Sequence, residues 1–327
     1  MSQTADSRPS LAVTRRLPAE VEDRLASQFR AEFNLEDRPL SRDELADAMR
    51  RHDAILPTIT DRIDASLIAT PGRKARIIGN YGAGLDHVDL DAARAARVAV
   101  TNTPDVLTEA TAELAILLML MAARRAGEGE RELRSGAWTG WRPTHLIGQG
   151  LSGATLGLVG FGRIAQATAA KAAGLGMRIC YFSRSRAPAE VEACYKAVYA
   201  GSLEDLVQMA NIVSLHVPGG EGTRHLIDRA LLGRMRWGSI LVNTARGAVI
   251  DEAALADALA EGRLAAVGLD VYEQEPKVHP GLLASPRAVL LPHLGSATIE
   301  ARTAMGMKAA DNLIAFFAGE TPPDRVV

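Results

Sequence analysis

Three side chains in the second half of the chain, Arg246, Glu275 and His293, have the types needed to bind a small acid and to move a proton. A histidine donates protons near neutral pH, and a neighbouring carboxylate favours its charged form. An arginine binds a carboxylate through two parallel hydrogen bonds. An isolated histidine is more often solvated or structural, but Pro292-His293-Leu-Gly-Ser directly follows an apolar segment. The three residues therefore indicate proton transfer to an oxygen of a bound organic acid.

A glycine turn between two apolar segments predicts a dinucleotide site. Residues 155–165 read Thr-Leu-Gly-Leu-Val-Gly-Phe-Gly-Arg-Ile-Ala, and a second apolar strand starts at residue 178. Gly160 permits the turn, Gly162 lets the backbone approach a pyrophosphate, and the helix that begins there presents free N–H groups. Ala165 stands where a third glycine is usual, at a position that needs only a small residue. An ordinary glycine turn is the alternative, which the order of strand, turn, helix and strand disfavours.

The end of the second strand bears on which dinucleotide is bound. NAD sites place an acidic residue there for the ribose, whereas NADP sites place an arginine near the 2′-phosphate. This chain has Ser183-Arg184-Ser185-Arg186 and no acid. With 32 arginines against 5 lysines, an arginine at a surface turn is weak evidence, so the missing acid is the better argument. We expect NADPH as the cofactor, with NADH possible but weaker.

Composition limits the classes of partner. The net charge of -2 and pI of about 6.4 give no field for nucleic acid or a membrane surface. The longest apolar run, residues 114–123, is too short to span a bilayer, and no apolar signal segment opens the chain, so we expect a cytoplasmic protein. Cys180 and Cys194 supply neither a disulfide framework nor a metal quartet, so no metal is expected. The partners expected are a small molecule and a second copy of the chain.

The elements that would position these residues alternate between strands and helices. Strands are predicted at residues 11–14, 54–56, 77–80 and 98–101, and helices at 18–29 and 41–49, the second capped by Ser41 with Glu44. Such alternation is typical of a parallel sheet covered by helices. The fingerprint opens a second series, whose strands at 212–216, 240–243, 266–269 and 289–291 end at His216, Thr244, Asp270 and His293. Because ligands bind outside the carboxyl ends of parallel strands, these ends should converge on the cofactor.

The two series predict an α/β protein with two Rossmann-like domains, one flavodoxin-like and one dinucleotide-binding, with parallel sheets and an interdomain cleft. The substrate domain is expected at residues 1–106 plus 299–327, and the dinucleotide domain at 107–298. The helix predicted from residue 108 to 125 is apolar on nearly every side, so it should lie between domains or against another subunit. A homodimer is the default. The last helix, residues 299–317, has no following strand and is expected to pack on the first domain.

Five segments resemble the D-isomer-specific 2-hydroxyacid dehydrogenase family, and they occur in that family's order after residue 50. They are Tyr81-Gly-Ala-Gly-Leu-Asp, Thr101-Asn-Thr-Pro-Asp-Val-Leu-Thr, Asn243-Thr-Ala-Arg-Gly, Gly268-Leu-Asp-Val-Tyr-Glu-Gln-Glu-Pro and Pro292-His-Leu-Gly-Ser-Ala-Thr. Within the family the chain is most similar to the glyoxylate and hydroxypyruvate reductases, through residues 101–108, Ser183-Arg184 and the segment Trp138-Thr-Gly-Trp-Arg-Pro.

The resemblance implies a role for each matching residue. His293 is the acid/base paired with Glu275, Arg246 binds and polarises the substrate, and the N–H groups of Ala83 and Gly84 hold its carboxylate. Asp270 contacts the nicotinamide carboxamide. The cofactor contacts expected from the fingerprint and the resemblance are Thr108, Gly160, Phe161, Gly162, Arg163, Ile164, Ser183, Arg184, Ser185, His216, Val217, Pro218, Thr223, Thr244, Ala245, Arg246, Asp270, His293 and Gly295.

One aromatic residue has two interpretations. Trp141 is expected either to reach across a dimer into the neighbour's substrate pocket or to be a buried dimer anchor without substrate contact. The segments 104–108 and 296–300 are expected to act as hinges that close the cleft.

The whole sequence thus predicts NADPH-dependent reduction of a small 2-keto acid, glyoxylate or hydroxypyruvate, by hydride transfer with His293 as proton donor. One alternative is another dehydrogenase of the family, acting on 2-ketogluconate or an aryl pyruvate. A second alternative, of another class, is a nucleotide-sensing binder that resembles the family's corepressors and has lost turnover.

Overall fold

The structure is a computed structural model that describes residues 7–327. The chain divides into two compact units. The first unit comprises Met1–Leu107 with Ser296–Val327, and the second comprises Thr108–Gly295. Each unit is built on a parallel sheet, as predicted from the alternating pattern.

The first unit contains a five-stranded sheet in the order β2-β1-β3-β4-β5. This is the flavodoxin-like order that was predicted. Buried Leu11, Ile55 and Ile78 lie in the three inner strands and form the apolar interior of the sheet. The strands are β1 (Ser10–Val13), β2 (Arg30–Phe33), β3 (Ala54–Leu56), β4 (Ile77–Gly79) and β5 (Ala99–Thr101).

Four of the five helices described in the first unit begin at a residue whose side chain caps them. Ser41 and Glu44 form the predicted capping box, and Asp64, Asp89 and Thr298 accept N–H groups of the first turns that follow them. The helices are α1 (Ala19–Gln28), α2 (Arg42–Arg51), α3 (Ala65–Ile68), α4 (Leu90–Ala95) and, from the C-terminal segment, α13 (Ile299–Phe317). Helix α13 packs on α1 and β4.

The second unit contains a seven-stranded sheet in the order β12-β11-β10-β9-β6-β7-β8. The strand order reverses between β6 and β9, which is the switch point where doubly wound sheets bind dinucleotides. The strands are β6 (Thr155–Val159), β7 (Arg178–Phe182), β8 (Ala197–Tyr199), β9 (Ile212–Leu215), β10 (Ser239–Asn243), β11 (Leu264–Leu269) and β12 (Ala288–Leu290). Cys180 is buried in β7, as expected of a small core residue.

Helices cover both faces of this sheet. They are α5 (Thr108–Ala123), α6 (Ala126–Arg134), α7 (Arg163–Gly174), α8 (Ala189–Tyr195), α9 (Leu203–Met209), α10 (Arg229–Arg234), α11 (Glu252–Ala260) and α12 (Pro280–Ala284), with 3₁₀ turns at Glu221–Thr223 and Gly247–Val249. Helix α5 ends before Arg125, whose φ of 54° breaks the helix. Leu118 of α5 is buried against Gly268 of β11, but Leu117 and Leu120 are 45% and 36% exposed in the single chain.

Two strands were not predicted. β2 has the sequence Arg-Ala-Glu-Phe and β8 the sequence Ala-Val-Tyr, and each lies at the edge of its sheet. An edge strand has one partner, and β2 is partly exposed, so its sequence lacks the continuous apolar run of a central parallel strand. Within residues 7–327, no helix is long and apolar enough to cross a membrane, and no group of acidic, histidine and cysteine side chains has the geometry of a metal site.

Candidate active site

His293 and Glu275 form a hydrogen-bonded pair. Their Nδ1 and Oε2 atoms lie 2.9 Å apart, and the side chains are 30% and 35% exposed. The other carboxylate oxygen of Glu275 accepts the Tyr272 N–H at 3.0 Å. Burial raises the pKa of Glu275, but the hydrogen bond and charge of His293, the Tyr272 N–H and the charge of Arg246 together bring this pKa below its usual value. The Glu275 carboxylate is therefore ionised at neutral pH, and Nε2 of His293 is left to face a substrate.

Asp270 shapes the turn that carries His293. The His293 N–H donates to the Asp270 carbonyl at 2.9 Å, and the N–H groups of Leu294 and Gly295 donate to the two carboxylate oxygens at 2.6 and 2.8 Å. His293 has a φ of 55°, in the left-handed region that favours glycine. Burial raises the pKa of Asp270 above its usual value, against the opposing effect of these N–H groups. The contacts of Asp270 thus stabilise a left-handed backbone conformation at His293 that residues other than glycine rarely adopt.

Arg246 follows β10 and is held from its backbone. Asn243 accepts the Ala245 N–H through Oδ1 at 2.9 Å and donates through Nδ2 to the Arg246 carbonyl at 2.9 Å. The next residue, Gly247, packs so closely on Tyr272 that a Cβ there would lie 1.8 Å from the Tyr272 carbonyl carbon. A glycine is therefore required for the Arg246 turn to rest on the segment that carries Glu275.

The glycine turn after β6 has the two properties expected of a phosphate cradle. Gly160 has a φ of +88°, and a Cβ on it would lie 2.7 Å from the His216 carbonyl oxygen, so the protein itself requires glycine there. Gly162 has an ordinary φ of -77°, and a Cβ on it would meet no atom of residues 7–327 within 4 Å. Gly162 caps α7 without a side chain, which leaves space for an anionic group at the N-terminus of the helix.

The neighbouring strand ends present further polar groups. His216 Nε2 lies 2.9 Å from Ser214 Oγ, and burial lowers the pKa of His216 to about 4, so its ring is neutral at physiological pH. Thr223 donates its hydroxyl proton to the Pro218 carbonyl at 2.7 Å. Thr244 is buried, and its hydroxyl has no hydrogen-bond partner within residues 7–327. A buried hydroxyl without a partner fits a position that a ligand completes. The residues present thus fit a dinucleotide.

Comparison with known proteins agrees with this geometry. Residues 116–295 match the model of the D-isomer specific 2-hydroxyacid dehydrogenase NAD-binding domain. A glyoxylate reductase of Thermococcus litoralis is 42% identical over 323 residues, which cover 98% of this chain and 97% of that protein. The chain belongs to the D-isomer specific 2-hydroxyacid dehydrogenase family. It is an oxidoreductase with a nicotinamide dinucleotide as cofactor.

Two further relatives of this dehydrogenase have different names. A glycerate dehydrogenase of Hyphomicrobium methylovorum is 38% identical over 96% of this chain and 97% of its own length. The crystal structure of an NADPH-dependent glyoxylate/hydroxypyruvate reductase from Sinorhizobium meliloti, in complex with NADP and malonate, has a TM-score of 0.87. It is 33% identical over 98% of this chain and 97% of that chain.

The two arginines of the segment after β7, Arg184 and Arg186, have different surroundings. Arg186 donates to both oxygens of Glu192 at 2.9 and 2.8 Å and lies over the Tyr199 ring. The Ser183 hydroxyl donates to the Ser185 carbonyl. Arg186 is therefore held by Glu192 of α8, whereas Arg184 is exposed just after the end of β7.

The remaining predicted site residues are placed as follows. The Phe161 ring stacks on Tyr181 with centroids 4.0 Å apart, so its backbone, and not its ring, is available to a cofactor. Arg163 and Ile164 open α7, Thr108 opens α5, and the Gly295 carbonyl accepts the Thr111 hydroxyl at 3.1 Å. Trp141 is 82% exposed in the single chain. Ala83 and Gly84 lie in the first unit, in the loop after β4.

Several residues that shape the site had no role in the sequence analysis. Asn243 and Tyr272 stood within the motifs but were given no role, because their contacts, with the Arg246 carbonyl and the Glu275 carboxylate, depend on the local shape of the turns. Their signal was present in the sequence as polar residues at the ends of buried strands. Asn80 and Asn102, in the first unit, are of the same kind and follow β4 and β5.

Proposed function

We propose that this dehydrogenase uses NADPH to reduce glyoxylate, hydroxypyruvate or both to the 2-hydroxy acid, with His293 as the proton donor. The observation that supports the proposal most directly is the His293–Glu275 pair, because Glu275 engages Nδ1 of the imidazole and leaves Nε2 available. The glycine turn would hold the pyrophosphate of the dinucleotide, whose reduced nicotinamide would supply a hydride for C2 of the keto acid.

The residues of the chain provide the proton and stabilise the charge. As C2 accepts the hydride, its carbonyl oxygen gains negative charge and takes the proton from Nε2 of His293, which becomes neutral. Glu275 stays ionised and stabilises the imidazolium before the transfer, because its pKa is held below the usual value. Arg246 supplies a fixed positive charge beside the developing alkoxide. In the reverse reaction neutral His293 accepts the hydroxyl proton.

The preference for NADPH is supported by Arg184 and by the absence of an acidic residue at 183–186. A carboxylate at the end of β7 would repel a 2′-phosphate, whereas an exposed guanidinium binds it through parallel hydrogen bonds. We expect NADH to be used less well.

The choice of a small substrate is supported by the relatives. The proteins of Thermococcus and Sinorhizobium are named for glyoxylate, and the Sinorhizobium enzyme binds malonate, a small dicarboxylate. We propose that the N–H groups of Ala83 and Gly84 bind the substrate carboxylate, as the resemblance implies. A 2-ketogluconate or aryl-pyruvate enzyme is the nearest alternative within the family.

We propose a homodimer whose interface is formed by α5 and by the residues that follow it, up to Trp141. Leu117, Leu133 and Trp138 are 45%, 62% and 50% exposed in the single chain, although each is a large apolar side chain. Exposed apolar groups in one region of a chain indicate an interface. Trp141 is 82% exposed and has two proposed roles, as an anchor or as part of the partner's substrate pocket. Sedimentation of the wild type and of Leu117→Asp tests the interface, since the variant should be monomeric.

The decisive experiment is the initial rate of NADPH and NADH oxidation with glyoxylate, hydroxypyruvate, pyruvate and phenylpyruvate offered separately. Fast NADPH turnover with the first two acids is expected. His293→Ala should lose most turnover while its NADPH dissociation constant changes little, and loss of both would indicate a structural role. Cofactor binding without turnover of any acid would favour the nucleotide-sensing alternative.

A further inference from the structure

The loop at residues 82–84 is held by side-chain amides. Asn80 Nδ2 donates to the carbonyls of Gly82 and Gly84, at 2.9 and 3.0 Å, and Asn80 Oδ1 lies 2.9 Å from His87 Nε2. Asn102 Nδ2 donates to the Ala83 carbonyl at 2.8 Å. Two asparagines therefore engage all three consecutive carbonyls of the loop, and the Thr103 N–H also donates to the Gly82 carbonyl, at 3.0 Å.

These contacts fix where the N–H groups of the loop point. In a planar trans peptide the C=O and N–H point in opposite directions. The Gly82 carbonyl shares its peptide with the Ala83 N–H, and the Ala83 carbonyl shares its peptide with the Gly84 N–H. Anchoring the carbonyls on the asparagines thus turns both N–H groups to the opposite side. Within residues 7–327 neither N–H donates a hydrogen bond.

The sheet brings the two asparagines together. β4 and β5 are parallel, with Gly79 paired to Thr101, so Asn80 and Asn102 leave neighbouring strands at the same level. The Asn80 N–H donates to the Thr101 carbonyl at 3.1 Å, and the Asn80 side chain is fully buried. A Cβ on Gly82 would lie 3.3 Å from Asn80 Nδ2, so a larger residue at 82 would press on the amide. The position of Asn80 is thus set by the fold and not by a ligand.

We propose that Asn80 is a positioning residue that, together with Asn102, aims the Ala83 and Gly84 N–H groups at the carboxylate of the keto acid. The inference rests on the proposed function. An amide suits this position because it provides two donors to two carbonyls without a charge. A carboxylate at residue 80 has no donor, so it would repel the carbonyl oxygens of Gly82 and Gly84 and displace this part of the loop.

The test is Asn80→Asp, with steady-state kinetics on glyoxylate and inhibition by oxamate, an unreactive small carboxylate. The carboxylate is bound equally in the ground and transition states, so its loss raises KM and leaves kcat nearly unchanged. We expect KM for glyoxylate and the inhibition constant of oxamate to rise together by about tenfold, the effect of one lost hydrogen bond. The NADPH dissociation constant should not change, because the glycine turn belongs to the other unit.

Asn34→Asp is the matched control. Asn34 Nδ2 also donates to two carbonyls, those of Thr14 and Arg38 at 2.8 and 2.6 Å, within the same unit. It should lose comparable stability while KM for glyoxylate stays at the wild-type value. If Asn80→Asp does not fold, Asn102→Asp decides, because Asn102 is only half-buried.

The outcomes separate the two proposals. No turnover of any keto acid by the wild type would overturn the proposed function, and this inference with it. Wild-type turnover with an unchanged KM in folded Asn80→Asp and Asn102→Asp would overturn the positioning role alone. A rise of KM equal to that of Asn34→Asp would show a general loss of stability and would also overturn it. A rise confined to the loop variants, in parallel with the inhibition constant of oxamate, supports it.

Discussion

Replacing Glu275 with glutamine tests the proton chemistry most directly. The substitution removes the charge that favours the imidazolium of His293 and keeps the shape of the side chain. With Nδ1 and Oε2 2.9 Å apart, the charge centres are separated by about 4 Å, and at an effective dielectric constant of about 20 their attraction is ~4 kcal/mol. Because each side chain is about a third exposed, solvent screening reduces this to about 1–2 kcal/mol.

The expected effect is a shift of the pH profile. About 1.4 kcal/mol corresponds to one pH unit, so in Glu275→Gln the alkaline limb of kcat/KM for reduction should move down by about one unit. Oxidation of the hydroxy acid needs neutral His293, so its acid limb should move down by the same amount. Because the pKa of Glu275 lies below its usual value, wild-type Glu275 holds its charge through mildly acidic pH and loses it only as pH falls through that lowered value.

The matched control is Glu273→Gln. Glu273 lies in the same segment and also contacts a histidine, with Oε1 2.8 Å from His225 Nε2. Its removal should leave both limbs in place. An unshifted profile in Glu275→Gln, or an equal shift in Glu273→Gln, would refute the assignment of His293 and Glu275 as the proton-transfer pair.

The remaining predictions concern the cofactor. Arg184→Ala should raise KM for NADPH by about tenfold and leave KM for NADH unchanged. Arg186→Ala should have a smaller effect on KM for NADPH, because Glu192 already holds that guanidinium. Equal effects of the two variants in steady-state assays would contradict this prediction. Ser183→Asp should move preference toward NADH, and an unchanged ratio would show that the ribose lies elsewhere. Gly162→Ala should weaken NADPH binding at constant melting temperature, while Gly160→Ala should lower the melting temperature, because its Cβ meets the His216 carbonyl.

Central strands were predictable from the sequence, because a strand buried on both faces needs consecutive apolar residues. This is why β9, β10 and β11 and the polar residues at their ends were found. β2 is partly exposed, and its alternating Arg-Ala-Glu-Phe lacks that signal. The fold class and the flavodoxin-like order followed from alternation and from the resemblance.

The contacts that refine the site were not predictable, since they depend on which groups the fold brings together. Arg186 lies in a loop, and Glu192, with which it pairs, lies six residues further on in a helix. Nothing in the amino-acid sequence favours this pairing over a contact of Arg186 with a phosphate. Nor does the sequence show that Asn80 reaches two carbonyls, because that requires the curvature of the loop after β4.

The groups proposed to bind the keto acid do not change their charge near neutral pH. The N–H groups of Ala83 and Gly84 do not titrate, and Arg246 stays charged at any pH compatible with folding. His87 contacts Asn80, and because Asn80 Oδ1 can only accept, the His87 Nε2–H donates to it in either protonation state of the ring. The proposed binding of the substrate carboxylate is therefore insensitive to pH. It follows that kcat should carry the pH dependence of the reaction, while KM for the keto acid stays nearly constant across neutral pH.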